Sequence, residues 1–358
     1  MAIGERIRQA RHMNYMSMRG LAEKAGISHN AISKYENNEM VPSSRVLIVL
    51  SRILNVRIEF LLRAPEISKI EPLFRKQHKF SKTEEMALMA RVRDKLERYM
   101  QIERFRPSTA YGFSLPKGFP RSVRTWDDVE KAAEDLREAW NLGLDPIENL
   151  TELFEDNGIR VDSVDVDGSF DACTFQAEVA GEMHFIFVRS SLPGDRQRFS
   201  LAHELAHFVL HHTEQSHMKE EKMAQRFAAA FLVPCASVRS ELGPKRHTLS
   251  LQELYFLKRK YGMSMSAWIC RARDLGILSV TAAEHLFKLF KSREYHKKEP
   301  GDPLPSEKSS RFERLVFQAL AEDMISAGRA AELFGKSLAQ FLSESKSEWG
   351  EAPLGTCD

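Results

Sequence analysis

Apolar residues recur at helical spacing along the first 62 residues, in short runs that sharp polar breaks separate. Ser17 and Ser28 stand where helix N-caps belong, and Gly26 stands where a helix end needs a positive φ. Pro42 is placed to open the fourth run as a first-turn proline. The pattern predicts five short helices, at residues 3–12, 17–26, 28–38, 42–54 and 57–62.

A longer amphipathic pattern follows at residues 82–105, where charged and apolar positions fit one helix. A stretch that contains proline and glycine comes after it, from Pro107 to Pro120. We expect this region to be a helical spacer, and dimerisation is one role that suits it.

Helical and strand-like patterns mix from Trp126 onward, which predicts an α+β domain. A polar break at residues 291–310 separates this unit from a last helical piece that ends near Ser343. The predicted helices of the unit lie at residues 129–140, 147–158, 219–233, 249–261 and 264–276, and the predicted strands at 159–166 and 183–190.

The chain is therefore predicted to be multidomain. We expect an all-α domain at residues 1–66, a helical linker at 67–125, an α+β domain at 126–280, and a polar break with a helical C-terminal region at 281–358.

The distribution of charged residues is informative only at the N-terminus. The net charge of the chain is +2, yet its first 63 residues hold ten Lys or Arg against five Asp or Glu. A local basic excess favours contact with nucleic acid.

The four cysteines stand far apart, without the spacing of a metal or redox pair, so we expect free thiols and a cytoplasmic protein. No signal peptide or membrane span is expected, because no long apolar run occurs.

The second and third predicted helices fit a helix-turn-helix. Ala22 allows close packing, Gly26 makes the turn, and Ile32 packs the second helix back onto the first. Polar residues that can reach base edges or phosphates stand at the start of that second helix. These are Ser28, His29, Asn30, Ser33 and Lys34.

The residues "HELAH", His203 to His207, form the pattern H-E-x-x-H. Two imidazoles four residues apart on one helix can bind a single tetrahedral metal ion. Glu204 is then placed to take a proton from the bound water and to pass it to a leaving amine. Zinc lowers the pKa of such a water toward about 7, so this motif indicates metal-dependent hydrolysis.

A third metal ligand is needed, because two histidines and a water leave tetrahedral zinc one donor short. Glu221 extends the apolar stripe of the following helix one turn toward its start, whereas Glu220 is rotated away from that stripe. His211 lies a further turn along the first helix, too far to share the metal with both other histidines. The candidates for the third ligand are Glu214, His217, Glu220 and Glu221.

No residue stands out as the donor that would stabilise a tetrahedral oxyanion. Arg198, His247 and Tyr255 are the ones we consider, and ordinary surface or packing roles suit all three.

The run "LAEKAGISHNAISKYENNEMVPS" resembles the DNA-binding domain of the Cro/C1-type, or XRE-family, regulators. That resemblance implies a lambda-repressor-like fold of five helices with a recognition helix from Ser28 to Asn37. Asn37 thereby joins the expected DNA-binding residues. Individual base contacts do not transfer, because they vary between members of the family.

The second domain resembles the ImmA/IrrE family of metallopeptidases. "HELAH" is followed by "EKMAQRFA", Glu221 to Ala228, before "LVP", as in that family. The resemblance implies a zincin-like fold, zinc ligands His203, His207 and Glu221, and Glu204 as general base. Gln225 stands where the family has Asn, and we expect it to orient a ligand from outside the first coordination shell.

Together the two resemblances imply a DNA-binding transcriptional regulator with a zinc-dependent endopeptidase domain, of bacterial or phage type. The expected partners are double-stranded operator DNA, a second copy of the chain, and a protein substrate. That substrate is the chain's own linker or a partner repressor or antitoxin-type regulator. One alternative is a non-proteolytic repressor whose zinc domain senses a ligand or partner, and another is a purely structural "HELAH". We expect the protein in the cytoplasm, associated with the nucleoid.

Overall fold

Five helices follow one another at the start of the computed structural model. The structure describes residues 3–67, 71–72, 81–105, 113–166, 170–178, 182–212 and 218–349. These first helices bury one apolar core around Ile7, Leu21, Ile32 and Leu50. Their bounds are α1 Ile3–Met13, α2 Met18–Ala25, α3 His29–Glu36, α4 Ser44–Ile53 and α5 Ile58–Leu62.

The caps of the first helices confirm most of the predicted boundaries. The hydroxyl of Ser17 accepts from the Gly20 amide at 3.0 Å, and that of Ser28 accepts from the Ala31 amide at 3.1 Å. Gly26 ends α2 with a φ of 65°, a conformation that glycine adopts without strain.

The prediction for Pro42 was wrong, because α4 begins two residues later. Ser43 is its N-cap and accepts from the Val46 amide at 3.4 Å, so that a serine satisfies the free N–H of the first turn. Pro42 is buried just outside the helix.

The long charged helix α6 spans Lys82–Glu103, as its amphipathic pattern predicts. Ser81 and Glu84 form a capping box at its start. The helix lies between two bodies, because it packs against α1 on one side and contributes Leu96, Tyr99 and Met100 to a core with the sheet on the other. The segment assigned to the linker thus holds a helix that is buried on two faces.

The strands are β1 Glu71–Pro72, β2 Arg121–Val123, β3 Ile159–Val164, β4 Ala172–Glu178, β5 Glu182–Arg189 and β6 Leu210–His212. The main sheet has the strand order β1-β4-β5-β3. Strands β3 and β5 run parallel, whereas β4 is antiparallel to both β5 and β1. A second ladder pairs β2 with β6 in parallel. The patterns for β3 and β5 are confirmed, whereas the sequence analysis missed β1, β2, β4 and β6.

Side chains of β5 alternate between the two faces of the main sheet. Ile186 and Val188 enter the larger core, and Phe185 and Phe187 enter the core that contains α6. The larger core is covered by α7 Trp126–Ala139, α8 Leu150–Asp156, α9 Gly194–Val209, α10 Glu220–Leu232, α11 Cys235–Leu242, α12 Leu251–Tyr261, α13 Met265–Asp274 and α14 Val280–Ser292. The other core includes side chains of α15 Arg311–Ala321, α16 Ala327–Leu333 and α17 Leu338–Trp349.

The polar segment between α14 and α15 crosses the larger domain as an ordered strap. Glu299 accepts hydrogen bonds from the amides of Met265 and Ser266 at the start of α13, at 3.0 and 2.9 Å. Glu307 accepts from the Thr151 amide at 2.8 Å. The strap's carboxylates therefore satisfy the free amides at the starts of two helices.

Among the helices of the described residues, none combines the length and apolarity needed to cross a lipid bilayer.

Candidate metal centre and nucleic-acid interface

Helix α9 carries the H-E-x-x-H motif beneath the main sheet. Leu201, Ala202 and Leu205 are fully buried and fix the rotation of the helix. The imidazoles of His203 and His207 consequently project one turn apart, with ring centroids separated by 5.1 Å. The packing of the apolar face thus presents both rings on the same side of α9.

Glu221 on α10 completes a set of three side chains that could hold a metal ion. One donor atom of each residue, His203, His207 and Glu221, lies within 4.8 Å of the others. A Glu221 oxygen is 3.4 Å from Nε2 of His203, and the other is 3.9 Å from Nε2 of His207. Two imidazole nitrogens and a carboxylate oxygen form a donor set that suits Zn²⁺ and leaves a position for water.

Of the other third-ligand candidates, Glu214 and His217 lie outside the described residues. Glu220 is turned outward and more than half exposed, yet one of its oxygens is 3.4 Å from Nδ1 of His207. A carboxylate at that second ring nitrogen leaves Nε2 for a metal and fixes the orientation of the ring. Sequence reasoning missed this contact.

The imidazole of His207 is almost completely buried. Only 3% of its side chain is exposed, and this desolvation lowers the pKa of its imidazole. The neutral form of histidine is the form that binds metals. Burial of His207 therefore favours the state that a metal needs.

Glu204 is buried beside the three donors and has a partner on the sheet. The Thr174 hydroxyl on β4 donates a hydrogen bond of 2.6 Å to its Oε2. Thr174 is 2% exposed and Glu204 is 7% exposed, so water has little access to this contact. Sequence analysis missed Thr174. The one signal available was a threonine in the run "ACTFQAE", whose alternation is weak.

The sequence analysis placed His211 one turn beyond His207 on the same helical stripe, and this prediction was wrong. Helix α9 ends at Val209, and the next three residues form β6. Ser122 of β2 pairs with His211 there. Residues 210–212 pair with β2 and do not extend the helix, so the imidazole of His211 does not join the stripe.

The remaining side chains considered for the site lie elsewhere. Gln225 is exposed on α10, one turn after Glu221. Arg198 is held in an ion pair with Glu307 and by the Ile147 carbonyl at 2.7 Å. His247 is exposed, and Tyr255 packs its ring against Phe256. None of these contacts involves His203, His207 or Glu221.

Helix α3 presents the polar residues that the helix-turn-helix pattern singles out. His29, Asn30 and Lys34 are exposed, and Ser33 is half-buried. Ser28 is exposed as well, although its hydroxyl caps α3. Asn37 is exposed and accepts a hydrogen bond from Arg8 at 3.0 Å. His29, Asn30 and Lys34 therefore offer polar groups to a partner. Ser28 and Asn37 are exposed too, but Ser28 also caps α3 and Asn37 also binds Arg8 of α1.

A buried ion pair that the sequence analysis did not find fixes α3 against α1. Both oxygens of the Glu36 carboxylate are bound by Arg11, at 2.6 and 2.7 Å. The side chain of Glu36 is 3% exposed, and Arg8 reaches the same carboxylate at 3.4 Å. This bidentate contact holds the exposed face of α3 in one orientation.

Comparisons with known proteins match both parts of the chain. A family model described as Helix-turn-helix matches residues 7–61. A model described as IrrE N-terminal-like domain, of the M78 peptidase family, matches residues 158–272. The HTH-type transcriptional regulator ImmR of Bacillus subtilis (strain 168) is 35% identical over 69 residues, which are 19% of this chain and 54% of that protein. The chain therefore spans about half the length of this curated relative, and both resemblances are confirmed as domain matches.

Proposed function

We propose that this chain, which joins a helix-turn-helix domain of XRE type to an M78-type peptidase domain, is a DNA-binding transcriptional regulator with a zinc-dependent endopeptidase activity. The observation that carries the enzymatic part is the convergence of His203, His207 and Glu221 beside a buried Glu204. The proposal includes a lambda-repressor-like arrangement of α1–α5, a zincin-like metal domain, a homodimer on a two-fold operator and a location at the nucleoid.

His203, His207 and Glu221 would hold the zinc ion. When bound, zinc supplies a Lewis acid that polarises a water and the carbonyl of a peptide bond. Glu204 would take a proton from a water held beside these residues and deliver it to the nitrogen of the leaving amine. The water oxygen first bonds to the carbonyl carbon as the C=O π bond opens, and the peptide C–N bond then breaks as the carbonyl re-forms, so the products are a carboxylate and an amine.

The pairing of β1 with β4 supports the chain's own linker as the substrate. Glu71 and Pro72 belong to the segment between the DNA-binding and peptidase domains, and they pair with Gln176 and Phe175. Those two residues follow Thr174, which contacts Glu204, along the same strand. An extended peptide on a sheet edge is a common way for a protein to bind its substrate. A partner repressor or antitoxin-type regulator that offers a similar strand is the other substrate we propose.

A second candidate function is non-proteolytic sensing, and the position of α6 favours it. The helix packs against α1 and also against the sheet that covers the metal site. A ligand or partner that binds the metal domain can therefore alter the arrangement of the DNA-binding helices through a continuous set of packed side chains. In this case the same three residues bind the metal ion, but no peptide bond is hydrolysed.

One experiment tests both candidates. The full chain is loaded with zinc and bound to DNA from its own promoter, and cleavage and DNA release are followed together. Proteolytic switching predicts that Glu204→Gln abolishes cleavage and release while zinc stays bound. Sensing predicts that regulation survives Glu204→Gln and is lost in His203→Ala.

The control is Lys288→Ala, an exposed change on α14, which should behave as the wild type. Absence of zinc from the purified wild type would contradict both candidates. Stable, uncleaved wild-type protein together with a partner that also stays intact would contradict the proteolytic one.

A further inference from the structure

We infer that Thr174 is a positioning residue for the general base Glu204, an inference that rests on the proposed peptidase function. The Thr174 hydroxyl is the donor of a 2.6 Å hydrogen bond to Oε2 of the Glu204 side chain. Neither the H-E-x-x-H motif nor the following glutamate motif includes this threonine.

The position of Thr174 is fixed by the sheet. It pairs with Ile186 across the antiparallel β4–β5 ladder, so its backbone sits in a register set by seven consecutive pairs. Its neighbours Cys173 and Phe175 point into the core that contains α6. Because side chains alternate along a strand, Thr174 points to the opposite face, toward α9.

This hydrogen bond gives the two oxygens of Glu204 different roles. Oε2 is occupied by Thr174, which leaves Oε1 as the oxygen that accepts the proton from water. The carboxylate of a long side chain samples several rotamers unless a second contact fixes it. Thr174 holds the carboxylate from the sheet while α9 holds its backbone, so the base stays aligned with the adjacent metal-ligating residues.

The test compares three variants of the full-length protein loaded with zinc. Thr174→Val keeps the shape of the side chain but removes the donor, and Thr174→Ser keeps the donor. Thr151→Val is the matched control, because Thr151 is a fully buried threonine on α8 whose hydroxyl has no hydrogen-bond partner among the described residues. Cleavage of a fluorogenic peptide with the sequence of residues 67–80, the linker segment that contains Glu71 and Pro72, gives kcat and KM, and zinc content is measured for each protein.

We expect Thr174→Val to lower kcat on the order of 10- to 100-fold, with KM and zinc content unchanged, because a misaligned base affects the transition state and not substrate binding. Thr174→Ser should restore most of kcat, and Thr151→Val should retain it. An unchanged kcat in Thr174→Val, or an equal loss in Thr151→Val, overturns the inference while the peptidase function stands. Wild-type activity no higher than that of Glu204→Gln overturns the peptidase function, and this inference with it.

Discussion

Arg6 and Glu97 form an ion pair of 2.6 Å in which both side chains are completely buried. Arg6 belongs to α1 of the DNA-binding helices, and Glu97 belongs to α6, which packs on the sheet of the peptidase domain. Arg63 also reaches Glu97, at 3.3 Å. A buried charge needs partners that replace its hydration, so these contacts hold the two domains in one relative position.

Glu97→Gln should therefore destabilise the contact between the DNA-binding helices and α6. The change leaves the Arg6 guanidinium buried without its countercharge, and we expect a loss of about 3 kcal/mol in the free energy of unfolding. Urea unfolding provides the measurement, and hydrogen exchange at α1 and α6 locates the loss. Glu294→Gln removes the exposed partner of Lys297 and should cost less than about 1 kcal/mol. Equal losses in the two variants would contradict the domain-locking role.

Glu155 should make the stability of the protein depend on pH. Burial raises the pKa of this carboxyl group from 4.5 to about 7, so the folded chain favours its protonated form. The stability that this form contributes is fully present below about pH 4.5 and is lost as the pH rises through about 7.

We expect the wild type to lose on the order of 3 kcal/mol relative to Glu155→Gln between pH 4.5 and 8. The glutamine does not titrate, and it can still accept the hydrogen bond that Ser309 donates to Glu155. Urea unfolding of both proteins across this range measures the difference. Parallel curves would show that Glu155 ionises as it does in the unfolded chain.

Local sequence patterns were sufficient for the elements whose contacts are close in sequence. The caps at Ser17 and Ser28 and the turn at Gly26 depend on residues three or four positions away, so the residue types along the sequence are enough to identify them. The four-residue spacing of His203 and His207 likewise decides that both rings lie on one side of a helix. For Glu221 the pattern of α10 left alternatives, and the family resemblance selected it.

Contacts between distant residues could not be predicted in this way. Thr174 meets Glu204 only because the β4–β5 register and the packing of α9 bring positions 30 residues apart together. Glu97 looks like a solvent-exposed charge on an amphipathic helix until Arg6, from another domain, covers it. The strap was assigned to a polar break because its glutamates gave no indication that they cap helices elsewhere in the fold.

The exposed face of α3 predicts different effects of two substitutions on DNA binding. Asn30→Ala removes a side chain able to contact a base edge and should weaken binding by about 1–3 kcal/mol at the cognate site. Lys34→Ala removes a positive charge and should weaken binding to all sequences. The slope of the logarithm of the binding constant against the logarithm of the salt concentration should become about one unit shallower. Gel-shift titrations at several salt concentrations, with DNA from the protein's own promoter, measure both effects. Lys288→Ala is the control, and affinities equal to the wild type for both α3 variants would exclude this face from the interface.

The two neighbouring glutamates of α10 should differ in their effect on zinc binding. Glu221 faces Nε2 of both histidines, whereas Glu220 lies near Nδ1 of His207, on the far side of the ring. Glu221→Ala therefore removes a ligand and should abolish stoichiometric zinc binding. Glu220→Ala removes only the group that orients His207, and it should raise the Kd for zinc about 10-fold while one ion per chain still binds.

Elemental analysis of the purified proteins and a competition titration with a chelator distinguish the two roles of Glu220 and Glu221. The control is Glu152→Ala, since this glutamate is exposed on α8 and does not belong to the metal-ligating set. If Glu220→Ala lost zinc completely while Glu221→Ala retained it, the assignment of the third ligand would have to be reversed. The geometry argues against that outcome. The Glu220 oxygen lies on the Nδ1 side of His207, so it could reach a metal ion held at Nε2 of both imidazoles only if α10 rotated.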